Sequence, residues 1–292
     1  MKLIKPTFEI LPQSGGLDGI YKQIEIAGRH CYKSEDKITE TSAKEFVERM
    51  IKSKHDSMLE HGTVYLYIFE AHEMPDTMHR PINPLIHKYY NNKYTIGHCV
   101  EEGEWVTHHY ITTNYRVLLE NDWLDDLQYL CEPTEFHAKR TTVKFIMDRI
   151  GSQSFVRHRV FSFAQESTRY CNYSRNKFSN ELTFIEPLWL EDDYYKEIYL
   201  SSLKHAESAY LDLLKQWDKK IEDKRFKSGY KNNPWTPQQA RSVLPNSLKT
   251  ELIMTGFDSD WKHFFDLRCD TTAHPQAREL AIPLQKKMDK IK

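Results

Sequence analysis

Three features of the chain point to an α+β fold, with a mixed or antiparallel central sheet flanked by helices. Val64, Leu66 and Ile68 alternate with Tyr65, Tyr67 and Phe69 as in a strand, apolar residues keep helical spacing over 192–218, and no regular βαβ rhythm runs through the 292 residues. Neither GxGxxG nor GxxxxGK[ST] occurs, and the chain holds only 10 glycines, so no Rossmann loop is expected. There is no repeat and no low-complexity linker. Gly15-Gly16 and the Pro-containing stretches near 75–84 and 233–237 read as loops within a single domain over 1–292.

Taken in order, a helix is expected from about 17 to 30. A second follows from Ser42, where Glu45 completes a capping box and Phe46, Val47, Met50 and Ile51 share one face. The strand around Val64 reads as covered on both faces. Residues 94–98 and 105–112 read as two more strands, paired through Glu101-Glu102-Gly103-Glu104. Thr142 to Met147 reads as a strand that runs into a helix bearing Arg157, His158 and Arg159. The long helix over 192–218 carries Tyr195, Tyr199, Ala206, Tyr210, Leu213 and Trp217 on its apolar positions. Near the end, Leu252 to Thr255 reads as a strand, and Asp258 or Ser259 as the cap of a helix through Trp261, Phe264, Phe265 and Leu267.

Composition narrows the function. The 41 basic and 42 acidic side chains leave a net charge of -1, without the positive excess that duplex nucleic acid demands. A local arginine cluster aimed at one small phosphate is still permitted. An aromatic share of 13% suits flat ligands or broad subunit interfaces, and suits a plain aromatic core equally well. The five cysteines form no CxxC pair, and no metal-ligand spacing occurs, so neither a metal nor an oxidising compartment is expected. The start MKLIKPTFEILPQSGG lacks an apolar leader core, and no apolar window approaches the length of a membrane span. The chain reads as cytoplasmic, without a membrane partner.

Chemistry concentrates between Val156 and Ser174, VRHRVFSFAQESTRYCNYS. An isolated Arg-His-Arg is ordinarily one salt bridge and two solvated groups, and on a helix Arg157 and Arg159 would point about 200° apart. Here, however, the five polar residues Gln165, Glu166, Ser167, Thr168 and Arg169 follow Phe161 and Phe163 and precede Tyr170 and Tyr173. That is a polar loop on an apolar support, with hydrogen-bonding groups for a planar heterocycle and an arginine for an anion.

Arg157-His158-Arg159, seven residues, then Ser167 with Arg169 and Tyr170, resembles the signature of the flavin-dependent thymidylate synthases. Other blocks agree. His55-Asp56-Ser57-Met58-Leu59-Glu60-His61 is similar to the family's His-x-[ST]-x-x-Glu-His, and Ala27-Gly28-Arg29-His30-Cys31-Tyr32 to its N-terminal segment. Ala240-Arg241, Leu244-Pro245, Thr250, His263-Phe264 and Leu267-Arg268 follow the order of its C-terminal third. The resemblance covers about 20–285 and makes 72–135 an insertion relative to shorter members.

The resemblance implies reductive methylation of deoxyuridine monophosphate (dUMP) to thymidylate, with methylenetetrahydrofolate as one-carbon donor, FAD as cofactor and NADPH as reductant. It also implies a homotetramer with shared active sites. Residue by residue, it gives catalytic roles to Arg157, Ser167 and His55. It gives the nucleotide to Gln165, Glu166, Ser167, Thr168, Arg169, Arg241 and Arg268, and the flavin to Cys31, Ser57, Glu60, Arg157, His158, Arg159, Val160 and His263. Ser167 is read as a hydrogen-bond donor in preference to a nucleophile, because no adjacent base is evident. The chain departs from the pattern where Phe257 and Ser259 replace an amide and an arginine, where Ser154 replaces a glutamine, and where Ala273-His274-Pro275-Gln276-Ala277-Arg278 replaces Ala-Gln-x-Glu-Ile-Arg. These losses fall mainly on flavin contacts.

Two other readings compete. A cysteine-nucleophile thymidylate synthase would need an activated thiolate, for which Cys171 is the one tempting residue. A flavin-lapsed binder of nucleotides or single-stranded nucleic acid would use arginines and stacking aromatics.

Overall fold

The computed structural model describes residues 1–71, 83–215 and 234–290. Its strands are β1 (Lys2–Ile4), β2 (Thr7–Ile10), β3 (Thr63–Ala71), β4 (Ile96–Glu102), β5 (Val106–Asn114), β6 (Arg140–Asp148), β7 (Ser162–Gln165), β8 (Thr183–Ile185) and β9 (Lys249–Phe257). The helices are α1 (Gly16–Tyr32), α2 (Ser42–Lys52), α3 (Pro84–Tyr90), α4 (Tyr115–Glu120), α5 (Arg149–Phe155), α6 (Asp193–Leu214), α7 (Pro237–Ala240), α8 (Asp258–Arg268) and α9 (Pro275–Met288). The α+β expectation holds. The central sheet runs β2-β6-β9-β7, every pair antiparallel, beside an antiparallel β3-β5-β4 sheet and a short parallel β1-β8 pair. Among the described residues no helix is long and apolar enough to cross a membrane.

Side-chain alternation along β9 explains how the central sheet is covered. Leu252 and Met254 face α5, α8 and α9, where Phe155, Trp261, Phe264, Leu280 and Leu284 close the main core. Glu251, Ile253 and Thr255 face the other way, toward α1 and the segment around His61: Ile253 packs with Ala27 and Ala164, and Thr255 Oγ1 lies 2.8 Å from both His61 Nδ1 and Thr142 Oγ1. A second core joins Ile20, Ile24, Phe46, Val47, Leu66, Ile111 and Leu118 between α1, α2 and the three-stranded sheet. Gly28 lets α2 approach, since a Cβ there would lie 2.4 Å from the Phe46 ring.

Several expectations need correcting. The helix after β6 stops at Phe155, and Arg157, His158 and Arg159 occupy the turn beyond it, so helical spacing does not govern where they point. Ser42 caps nothing: its hydroxyl donates to Glu25 Oε2, because the helix begins one residue earlier than a capping box at Ser42 requires. β3 is buried on its Val64–Leu66–Ile68 face, while its other face grades from buried Thr63 through half-buried Tyr65 and Tyr67 to Phe69, 56% exposed. Phe257, not Asp258 or Ser259, takes the cap position of α8, and its N–H donates to Asp260 Oδ2 at 3.0 Å. The hairpin of β4 and β5 forms as expected, with Gly103 at φ 65° in its turn. Helix α6 is described to Leu214, while Trp217 and, of the two Pro-containing stretches, residues 75–82 and 233 lie outside the described residues.

Candidate functional site

The loop after β7 is tied down before it becomes polar. Glu166 N–H donates to the Glu251 carbonyl at 2.8 Å, and Ser167 N–H to the Cys31 carbonyl at 3.0 Å. The buried Glu166 carboxylate accepts from Tyr173 Oη and from Lys249 Nζ, both at 2.8 Å. Lys249 also reaches Glu251 Oε1 at 2.8 Å, as does Lys33, which bonds Glu35 at 2.7 Å. Burial pushes the Glu251 carboxyl upward, but Lys249 and Lys33 outweigh it and hold it well below its ordinary value. His30, Glu35 and Glu251 could geometrically enclose a cation, yet Lys33 already bridges both carboxylates and Lys249 and Lys144 add positive charge at Glu251. Sequence reading missed this network. The signal was present in Lys249 and Glu251, two charges at strand spacing in an otherwise apolar segment.

Above this base the expected nucleotide residues gather. Arg241 Nη1 reaches Thr168 Oγ1 at 3.4 Å, Arg169 Nε donates to Gln238 Oε1 at 2.9 Å, and the Arg169 guanidinium lies 5.2 Å over the Tyr170 ring. Tyr170 packs 5.4 Å from Tyr32, whose hydroxyl is 3.2 Å from His55 Nδ1, so segments 27–32, 55–61 and 167–170 meet at one place. Gln165 turns inward, to Ser152 Oγ at 2.9 Å and Thr250 Oγ1 at 3.2 Å. Ser167 Oγ accepts from Arg169 N–H at 3.3 Å, and among the described residues no histidine, lysine or carboxylate hydrogen-bonds it. Cys31 lies on α1, half-buried, and burial raises its thiol to about 11. Burial likewise raises Cys171 to about 12, which disfavours a thiolate nucleophile there.

Arg268 joins a different group. It donates from Nε to His158 Nε2 at 2.8 Å and from Nη2 to the Ser154 carbonyl at 2.7 Å. Burial, with help from Arg268 and His263, lowers His158 to about 4, so its Nε2 is free to accept. His263 stands exposed with its ring 6.0 Å from that of His158.

Four residues expected at the flavin, Ser57, Glu60, Arg159 and Val160, line one cavity of about 700 Å³, together with Arg116, Arg140 and Asp260. The volume is that of a cofactor-sized pocket. Both replacements, Phe257 and Ser259, lie on the same wall. Arg157, Arg159, Arg169 and Arg241 are exposed, and among the described residues none is paired with a carboxylate.

A family model for the thymidylate synthase complementing proteins, Thy1, matches residues 120–291, a span that includes this loop, the arginines and three of the four central strands. The chain belongs to this family. Flavin-dependent thymidylate synthases are among the curated relatives that this Thy1 chain resembles. One from Corynebacterium diphtheriae is 30% identical over 136 residues, covering 47% of this chain and 51% of its own. Another, from Corynebacterium glutamicum, is 27% identical over 153 residues, covering 52% and 58%. The chain therefore spans about half the length of the curated relatives it matches. A solved UMP/dUMP methylase, PolB from Streptomyces cacaoi bound with 5-Br dUMP, aligns over 99% of this chain and 93% of its own at 16% identity, with a TM-score of 0.39, too low to carry an argument.

Proposed function

We propose that this Thy1 chain is a flavin-dependent thymidylate synthase that methylates dUMP reductively, using methylenetetrahydrofolate as the one-carbon donor. The observation that carries the reading is a family signature whose arginines have no carboxylate partner among the described residues and rise from a buried base of paired charges. Arg169 and Arg241 beside Thr168 take the dianionic phosphate through forked hydrogen bonds. Arg157 supplies positive charge beside the pyrimidine carbonyl oxygens, where it would stabilise the enolate whose electron density makes C5 nucleophilic. Ser167, with no base beside it, acts as a hydrogen-bond donor to the nucleotide.

The pocket fits FAD in its charge and size: Arg159 offers an unpaired cation, Ser57 a hydroxyl and Val160 an apolar wall. His158, kept neutral, and His263 stand beside that region. When bound, FAD supplies the reducing equivalents that complete the methyl group, with NADPH as their source. Arg268, expected at the nucleotide, bonds His158 and the Ser154 carbonyl instead of joining Thr168 and Arg241, which supports a homotetramer with composite sites, measurable by light scattering.

The deciding experiment is the visible absorbance spectrum of the purified chain with FAD, before and after dUMP, alongside tritium release from 5-tritiated dUMP. A flavin band that shifts with dUMP, and release that requires methylenetetrahydrofolate and NADPH, are expected. Retained dUMP binding without any flavin band would overturn the synthase reading in favour of a nucleotide binder that has lost its cofactor.

A further inference from the structure

Arg140, outside every signature block, begins β6 directly across from Phe257 in the strand register. Its guanidinium lies 5.4 Å over the Phe257 ring and lines the cavity that Arg159 and Ser259 share. Among the described residues its guanidinium makes only long hydrogen bonds from Nη1, to the Glu60 carbonyl at 3.2 Å and to Thr63 Oγ1 at 3.3 Å, and the buried Nε has no partner. Glu60 could have neutralised it, but that carboxylate is turned to Arg116, which also holds Glu120 at 2.7 Å. The remaining carboxylate on the cavity wall, Asp260, accepts the Phe257 N–H. Arg140 is thus a half-buried cation with no counter-ion among the described residues, an arrangement that costs stability unless a ligand supplies the anion.

We infer that Arg140 is an anion-binding residue of this cavity, taking a phosphate group of the bound dinucleotide and standing in for the guanidinium lost at Ser259. The inference rests on the proposed flavin site. Burial lowers Arg140 to about 10 although Tyr65, Glu60 and Asp260 pull the other way, which agrees with an uncompensated charge. Arg140 also borders a smaller cavity of about 490 Å³, but there Glu132 and Glu135 offset the charges of Lys139 and Arg140. On the larger side Arg159, paired with no carboxylate among the described residues, lines the same cavity as Arg140, and two cations on one cavity suit a phosphate.

The test compares wild type, Arg140→Met and Arg140→Lys by flavin fluorescence titration with FAD and with riboflavin, which lacks phosphate. Arg140→Met is expected to weaken FAD by about tenfold or more, to leave riboflavin unchanged, and to melt no lower than wild type without ligand. Arg140→Lys should recover part of the FAD affinity. Equal FAD affinity in wild type and Arg140→Met would overturn the inference, and so would a parallel loss of FAD and riboflavin, which marks a structural role. Should wild type bind no FAD, the cofactor reading fails, and inorganic pyrophosphate then decides the anion site alone. A rise in melting temperature with pyrophosphate in wild type but not in Arg140→Met would uphold it, and no rise in wild type would overturn it.

Discussion

Under β7, Lys33, Glu35, Glu166, Lys249 and Glu251 interlock at 2.7 to 2.8 Å inside the fold. Just beyond, Arg157, Arg159, Arg169 and Arg241 reach the surface without a carboxylate among the described residues. Both regions are dense in charge, yet their arithmetic is opposite. In the first, Lys33 and Lys249 bridge three carboxylates and Lys144 lies 3.5 Å from Glu251, so opposite charges hold the sheet and the loop in register. In the second, the positive field is left open to an incoming anion. Partnering, more than burial or residue type, separates the frame of this site from its working groups.

The comparison breaks first at Lys249. Lys249→Met leaves Glu166 and Glu251 short of a cation inside the protein and should destabilise the fold by about 3–5 kcal/mol, a drop in melting temperature on the order of 10 °C. A Lys249→Met protein that melts with wild type would mean that the network is decorative. Arg157→Ala should do the reverse, lowering kcat/KM by roughly 10²–10³-fold while its melting curve stays with wild type; steady-state kinetics beside calorimetry reads both.

Acid separates the two regions further. Because the Glu251 carboxyl is held below its ordinary 4.5, its contribution is fully present above that pH and is lost as pH falls through it toward the folded value. His61, fully buried and lowered to about 3 chiefly by burial, adds a loss that begins near 6.5, where the unfolded chain takes up a proton that the folded one refuses. Denaturant midpoints between pH 7 and 4 should therefore fall, and Glu251→Gln should flatten the lower part of that slope. A slope unchanged in Glu251→Gln would assign the acid sensitivity elsewhere. Arg241→Ala should weaken dUMP by about tenfold in a salt-dependent way, measured by calorimetric titration. Cys171→Ala should keep activity within about twofold, since a thiol raised to about 12 supplies no nucleophile.

How much of this was legible in the sequence depends on the range of each signal. Local periodicity revealed α1, α2, the β4–β5 hairpin, β6, α6 and β9, because each carries its own apolar pattern. It missed β7, only four residues long, and α9, where Pro283 sits inside the helix and obscures its spacing. The motif gathered Thr168, Arg169 and Arg241 correctly as neighbours, yet could not show that Glu166 and Gln165 turn inward. That depends on Lys249 and Thr250, more than 80 residues away in the chain. Arg140 escaped for a similar reason: its significance lies in Glu60 facing Arg116 instead, a choice made between side chains 56 residues apart.

The tethered start of the signature loop has a thermodynamic consequence. With Glu166 N–H on Glu251, Ser167 N–H on Cys31 and Cys171 N–H back on Ser167, the backbone from 166 to 171 surrenders its conformational freedom when the chain folds, long before a ligand arrives. A nucleotide that docks there meets groups already oriented, so the ordering entropy that usually erodes affinity has been charged to folding instead.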